Sequence, residues 1–207
     1  MGSSTDPLFA QDSPSAPKLP NRDYPLTIDG TATMVGKWAC GGDAKVEVTP
    51  GSSADLLPGF VGGLQKVAVT ASVPAIDCGD STMNKYLRKA LKEEEYPEIT
   101  YQALKFILVD HGAAVQTSGE LTVAGVTKAI SIGAKLIPLP GGATKIVGKL
   151  EVNMKEYGVK PPSIFFGALK VSDVVTVQFN TVVMLPRELT LALFANMNKI
   201  QEPVASR

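Results

Sequence analysis

Leu26-Thr27-Ile28-Asp29-Gly30-Thr31-Ala32-Thr33-Met34 alternates without a break: the even positions are apolar or small, and Thr27, Asp29, Thr31 and Thr33 are polar. A period of two sends successive side chains to opposite faces of an extended chain, so this stretch reads as a strand with one dry face. The alternation reaches Trp38, which predicts a single strand from Leu26 to Trp38. The same reading, carried outward, gives strands at Ala44 to Thr49, Leu64 to Val73, Glu98 to Asp110, Val115 to Val123, Thr127 to Ile137, Thr144 to Met154 and Val174 to Leu185. That makes about eight strands, joined mostly by hairpin-length turns. In Glu98 to Asp110 the phase slips: Ile99, Tyr101 and Ala103 share one face, and Leu104, Phe106 and Leu108 the other. A slip of one residue predicts a bulge near Ala103-Leu104.

One internal helix interrupts the strands. Asp80, Ser81 and Thr82 offer N-cap oxygens, and Met83, Tyr86, Leu87, Ala90 and Leu91 form one apolar stripe. Lys85, Lys89 and Lys92 lie off the stripe, and Pro97 limits the helix. Glu93-Glu94-Glu95 would sit in its last turn, the wrong end for acids, so fraying is expected there.

Few strand pairs have a crossover helix between them, so the sheet is expected to be antiparallel. A run of antiparallel strands hides its edges either as a two-sheet sandwich or as a closed barrel. The inward candidates Gly30, Ala32, Ala71, Ala103, Gly125 and Gly148 are small and leave room inside. An eight-stranded barrel can just hold a small ligand. The lone helix then serves as a plug or lid over one end.

Composition narrows the function classes. The 207 residues are 44% hydrophobic and 19% charged, values of a globular chain. Lys+Arg and Asp+Glu are 20 each, so the net charge is zero. A nucleic-acid binder needs a cationic surplus to neutralise phosphates, and this chain has none. A polybasic membrane-surface protein is disfavoured for the same reason. There is no uninterrupted apolar run of about 20 residues, so no transmembrane helix is expected. Mean hydropathy is nonetheless +0.11. Nineteen glycines and 15 prolines punctuate the chain densely.

The first 23 residues, rich in Ser and Pro up to Pro20, read as a disordered lead or linker. Met1-Gly2-Ser3-Ser4 has the look of a vector-encoded start, and no charged n-region followed by an apolar h-region is visible. Residues 24–185 form the expected domain. In the extension 186–207, Leu189, Leu193 and Met197 recur every four residues, compatible with a helix. The spacing of Cys40 and Cys78 fits no metal pattern. They are either two separate buried thiols or one disulfide, since each ends an apparent strand and is followed by glycine.

Catalytic equipment is sparse. Ser or Cys nucleophiles need a histidine, and the only one, His111, sits in a turn. There is no G-x-S-x-G elbow, no phosphate loop and no G-x-G-x-x-G. No catalytic and no metal-ligating residue is assigned, and the chain is expected not to be an enzyme.

An ordered set of stretches resembles the YceI-like family of bacterial lipid-binding barrels. They are Ala90-Leu91 with Tyr96-Pro97-Glu98-Ile99-Thr100-Tyr101, then Gly119-Glu120-Leu121-Thr122-Val123-Ala124-Gly125-Val126-Thr127-Lys128, then Asn153 with Tyr157-Gly158-Val159, and Asp173-Val174-Val175-Thr176-Val177. The resemblance covers about Tyr24 to Leu185. It implies an all-β fold: an extended, eight-stranded, antiparallel, lipocalin-like barrel with one short helix near one end. It also implies non-enzymatic binding, for sequestration or transport, of a long isoprenoid chain such as a polyprenyl alcohol or a quinone. The implied compartment is the periplasm or the exterior, reached with a signal peptide since removed. The pieces around Trp38-Ala39-Cys40 and Asp77-Cys78 look like a branch of the family in which the cysteines pair, so a Cys40–Cys78 bridge is expected.

On this reading Trp38, Leu87, Phe106, Leu121, Met154, Phe165, Phe166, Val177 and Phe179 line or close the cavity. The bound molecule is a polyisoprenoid or fatty-acyl lipid, with no other cofactor. Nucleic acid is excluded as a partner, and the chain is open to forming a homodimer. The rival is an interaction protein with a filled barrel, acting through its surface or residues 186–207. A third reading is an enzyme using scattered carboxylates or His111.

Overall fold

The computed structural model describes residues 24–33, 36–50, 64–110, 113–161, 163–164 and 169–185. The expected lead, the loop from Gly51 to Gly63, the turn residue His111, the pair Phe165-Phe166 and the C-terminal extension lie outside them. The strands are β1 (Leu26–Ala32), β2 (Gly36–Gly42), β3 (Ala44–Pro50), β4 (Leu64–Ser72), β5 (Glu98–Val109), β6 (Ala114–Val123), β7 (Val126–Pro138), β8 (Ala143–Asn153), β9 (Ser163–Ile164), β10 (Leu169–Lys170) and β11 (Val174–Met184), with one α-helix, α1 (Ser81–Ala90).

Nine strands form one antiparallel sheet in the order β2-β1-β11-β8-β7-β6-β5-β4-β3, and β9 pairs separately with β10. The two edge strands, β2 and β3, are consecutive in the chain with only Asp43 between them. The ends of the sheet are therefore held together covalently, and the sheet must curl. A strand that changes partners at Asp43 serves β1 on one side and β4 on the other. Closing a sheet in this way removes most exposed edge.

The first strand departs from expectation. The stretch from Leu26 to Trp38 is not one strand but a hairpin: β1 ends at Ala32, Thr33 begins a turn, and β2 returns with Ala32 opposite Gly36 and Leu26 opposite Gly42. Gly36 has φ +74, a left-handed conformation that glycine adopts without a Cβ clash, which lets the chain reverse there. With this hairpin and the added pair β9–β10, the strand count exceeds eight.

The bulge is where the phase slip put it, between Ala103 and Lys105 against β6. It corrects one detail: Phe106 turns inward with Tyr101 and Ala103, while Leu104 faces out and is 48% exposed. Met154 opens a 3-10 turn after β8 rather than ending that strand. Gly125 is not part of the inner wall; it makes the β6–β7 turn with φ +79 under the Tyr96 ring.

The helix forms as its cap residues direct. The Asp80 carboxylate accepts from Met83 N at 2.8 Å, satisfying an orphan donor of the first turn. It ends at Ala90, and residues 91–95 follow as turn, with Lys92 at φ +55. Arg88 Nε lies 3.8 Å from Glu93 Oε2, the one acid of the triplet in an ion pair among those described.

Candidate functional site

The inner face of the curled sheet surrounds a cavity of about 440 Å³. Every strand of the main sheet contributes to its wall because period-two alternation repeats one inward face nine times around the sheet. Helix α1 lies against the cavity with Met83, Tyr86, Leu87 and Ala90, and its C-cap Leu91 completes the apolar stripe. Of the side chains expected from sequence, Trp38, Leu87, Phe106, Leu121, Met154, Val177 and Phe179 all line this cavity. Phe165 and Phe166 lie outside the described residues. Sequence reading missed Tyr157, Val159 and Val171, which lie in or beside short irregular segments where no period marks an inward face.

The wall carries no Lys, Arg, Asp, Glu or His among the described lining residues. Two of its buried polar groups satisfy each other. Tyr101 Oη and Thr117 Oγ1 are 2.7 Å apart, and Thr117 Oγ1 donates to the Ile132 carbonyl at 3.3 Å. Burial raises the Tyr101 hydroxyl above its ordinary pKa, with the Thr117 hydrogen bond opposing the shift, so it stays neutral. The described wall offers dispersion and the hydrophobic effect, and none of its described residues carries a charge to attract an ion.

Aromatic rings line the wall without filling the lumen. Trp38 lies on Gly30, its strand partner, so that a Cβ on Gly30 would fall within 3 Å of three indole atoms. Phe179 covers Gly148 in the same manner, and at Gly119 an added Cβ would meet the Gln102 carbonyl oxygen first and the Tyr101 ring next. Each glycine leaves room for a ring to sit close against a neighbouring strand.

The lid is fastened at its foot. Cys40 on β2 and Cys78 before α1 form a disulfide, and both line the cavity. Next to it Gly41 and Asp77 exchange two backbone hydrogen bonds, each 2.8 Å. The Asp77 carboxylate accepts from Asn84 Nδ2 and Gly79 N at 2.9 Å and from Tyr24 Oη at 3.4 Å. Those donors, Asn84 first, hold its pKa below the ordinary carboxylate value. Arg88 Nη2 donates to the Pro74 carbonyl at 2.7 Å. At the other end Val73 N donates to the Pro97 carbonyl at 2.9 Å.

Among the described residues no group of three or more His, Cys, Asp or Glu could hold a metal ion. Among the same residues no helix is long and apolar enough to cross a membrane.

Comparison with known proteins agrees with this architecture. Protein YceI of Escherichia coli O157:H7 is 28% identical over 102 residues, 46% of this chain and 52% of that protein. A UPF0312 protein of Pseudomonas aeruginosa is 29% identical over the same extent. The match thus spans about half the length of these curated relatives. Two solved structures are similar in fold. BcnA from Burkholderia cenocepacia has a TM-score of 0.58 at 17% identity, covering 76% of this chain and 96% of its own. A polyisoprenoid binding domain from Saccharophagus degradans has a TM-score of 0.59 at 14% identity, covering 78% and 93%. A model of the YceI-like domain matches residues 26–183, most of the chain, from the first strand of the sheet to the last. The chain belongs to the YceI-like family.

Proposed function

We propose that this protein binds a long isoprenoid lipid, a polyprenyl chain or a quinone, inside the barrel and sequesters or transports it without chemical change. The observation that carries the reading is the apolar cavity with no charged side chain on its described wall, lidded by an amphipathic helix. Each methylene moved from water into such a wall contributes roughly 0.8 kcal/mol, so a long hydrocarbon is the ligand that gains most. The polyisoprenoid binding domain of similar fold supports the choice of ligand class. Trp38, Leu87, Phe106, Leu121, Met154, Val177 and Phe179 are the proposed contact residues, together with Phe165 and Phe166. The disulfide supports an oxidising compartment, and we place the protein in the periplasm. The open lumen disfavours the rival of a filled barrel acting through its surface.

Organic extraction of the purified protein followed by mass spectrometry tests the reading, with uptake of a polyprenyl probe by delipidated protein as the second arm. A co-purified isoprenoid and saturable uptake are expected. A fatty-acyl lipid alone would move the ligand class, and neither lipid nor uptake would overturn the proposal.

A further inference from the structure

We propose that Gly30 and Gly148, neither of which need touch the ligand, decide which chains fit by letting Trp38 and Phe179 sit close against the wall. The inference rests on the reading of the lumen as an isoprenoid site and assigns its specificity determinants.

At Gly30 the three atoms nearest an added Cβ all belong to the Trp38 ring, at 2.3, 2.4 and 2.9 Å. Real Cβ contacts are never so short, so any side chain at position 30 must lift the indole off the wall, and the inner side of the ring is the lumen. Among the described residues no hydrogen bond holds the indole down, because Trp38 Nε1 is buried without a partner. The ring also packs beside Cys40, Ile76 and Cys78, and the absence of a side chain at Gly30 is what leaves it room against the wall. At Gly148 an added Cβ would fall 2.2 Å from Phe179 Cζ and 2.7 Å from the Gly133 carbonyl oxygen. There the ring must lift and the backbone must also yield.

The two rings stand at different depths. Leu26 pairs with Phe179, and Gly30 pairs with Trp38. The rise from Leu26 to Gly30 along β1 is roughly 13 Å at the usual strand spacing. At its end β1 is bridged through Ala32 to Val171, so Trp38 lies toward that end, packed beside the cysteine bridge that anchors the lid. It acts as a collar. Phe179 lies deeper and acts as a stop. A lifted indole narrows the lumen for every chain, whereas a lifted Phe179 shortens it and penalises long chains selectively.

The experiment compares the intact chain with Gly30→Ala, Gly148→Ala and Phe179→Ala, each delipidated. Binding is measured for farnesol, geranylgeraniol and solanesol, and for straight-chain alcohols of matching length. Trp38 is the only tryptophan, so its emission reports the ring directly. Gly30→Ala is expected to shift that emission without ligand and to weaken all chains roughly tenfold, the scale of an overpacked site. Gly148→Ala is expected to weaken solanesol more than farnesol. Phe179→Ala, which needs no backbone movement, covers the case in which Gly148→Ala does not fold, and is expected to favour the longest chain. Unchanged emission in Gly30→Ala, or the same length preference in all four proteins, overturns the inference. If only the straight-chain alcohols bind and follow the predicted pattern, the inference holds and the isoprenoid reading fails.

Discussion

Cys40 and Cys78 join the wall strand β2 to the foot of the lid helix, and Cys40 has no solvent exposure at all. The bridge spans the only covalent shortcut between the barrel and α1 among the described residues. In the chain-entropy picture a loop of this size contributes about 3–4 kcal/mol by restricting the unfolded chain.

The first prediction follows from that position. Replacing both cysteines by serine is expected to lower unfolding stability by about 3 kcal/mol in denaturant. It is also expected to speed release of a bound apolar chain, because the lid loses its anchor on β2. Stopped-flow displacement of a fluorescent lipid reads the second effect. Equal release rates with and without the bridge would show that the lid is held by its other contacts alone.

Asp77 supplies the second prediction. Its pKa is lowered in the folded protein by donors from Asn84 and Gly79. A carboxyl of depressed folded pKa stabilises the fold above its unfolded pKa of about 3.9, and that contribution is lost as pH falls through the lower folded value. Asp77→Asn is therefore expected to melt below the parent protein at pH 7, with the gap in Tm closing below about pH 4. A gap that stays constant from pH 7 to pH 3 would assign the difference to hydrogen-bond geometry and not to charge.

The third prediction concerns the cap of the lid. Asp80→Ala removes the acceptor for Met83 N, and is expected to cost about 1 kcal/mol. Because α1 carries Met83 and Leu87 against the lumen, the loss should appear as faster hydrogen exchange confined to the helix. Uniformly faster exchange across the sheet would contradict a local cap.

These contacts show which parts of the design could be read beforehand. Alternation marks an inward face wherever a strand is long, so the wall from β4 to β8 and β11 was legible in Val69, Leu121, Leu150 and Val177. The helix was equally plain, because its stripe and its Asp80 cap agree. The hairpin between Ala32 and Gly36 was not, since a turn that preserves the alternation leaves the period unbroken. Glycines posed the opposite problem. Gly148 falls inside the Thr144 to Met154 alternation and Gly125 between two strands, but sequence does not tell which ring lies over each, Phe179 over one and Tyr96 over the other. Only the register between strands fixes that, and register is set by the closure of the whole sheet.

Gly125 and Gly133 make the last prediction, as a matched pair. Both are glycines of the β6–β7 region. Gly125 has φ +79, and an added Cβ would meet the Tyr96 ring at 2.4 Å. Gly133 has no neighbour within 4 Å of an added Cβ and no positive φ. Alanine at 125 must adopt a left-handed backbone and displace Tyr96 from the end of the lid segment. It is expected to cost about 1–3 kcal/mol. Alanine at 133 fills open space on the outer face and removes only freedom from the unfolded chain, so it is expected to be neutral or to stabilise by about 0.4–1 kcal/mol. Opposite signs in paired denaturant titrations are the expected result. Equal destabilisation at both sites would mean that the sheet tolerates no side chain along this hairpin, and the ring over Gly125 would lose its role as the contact that fixes the lid's C-terminal end.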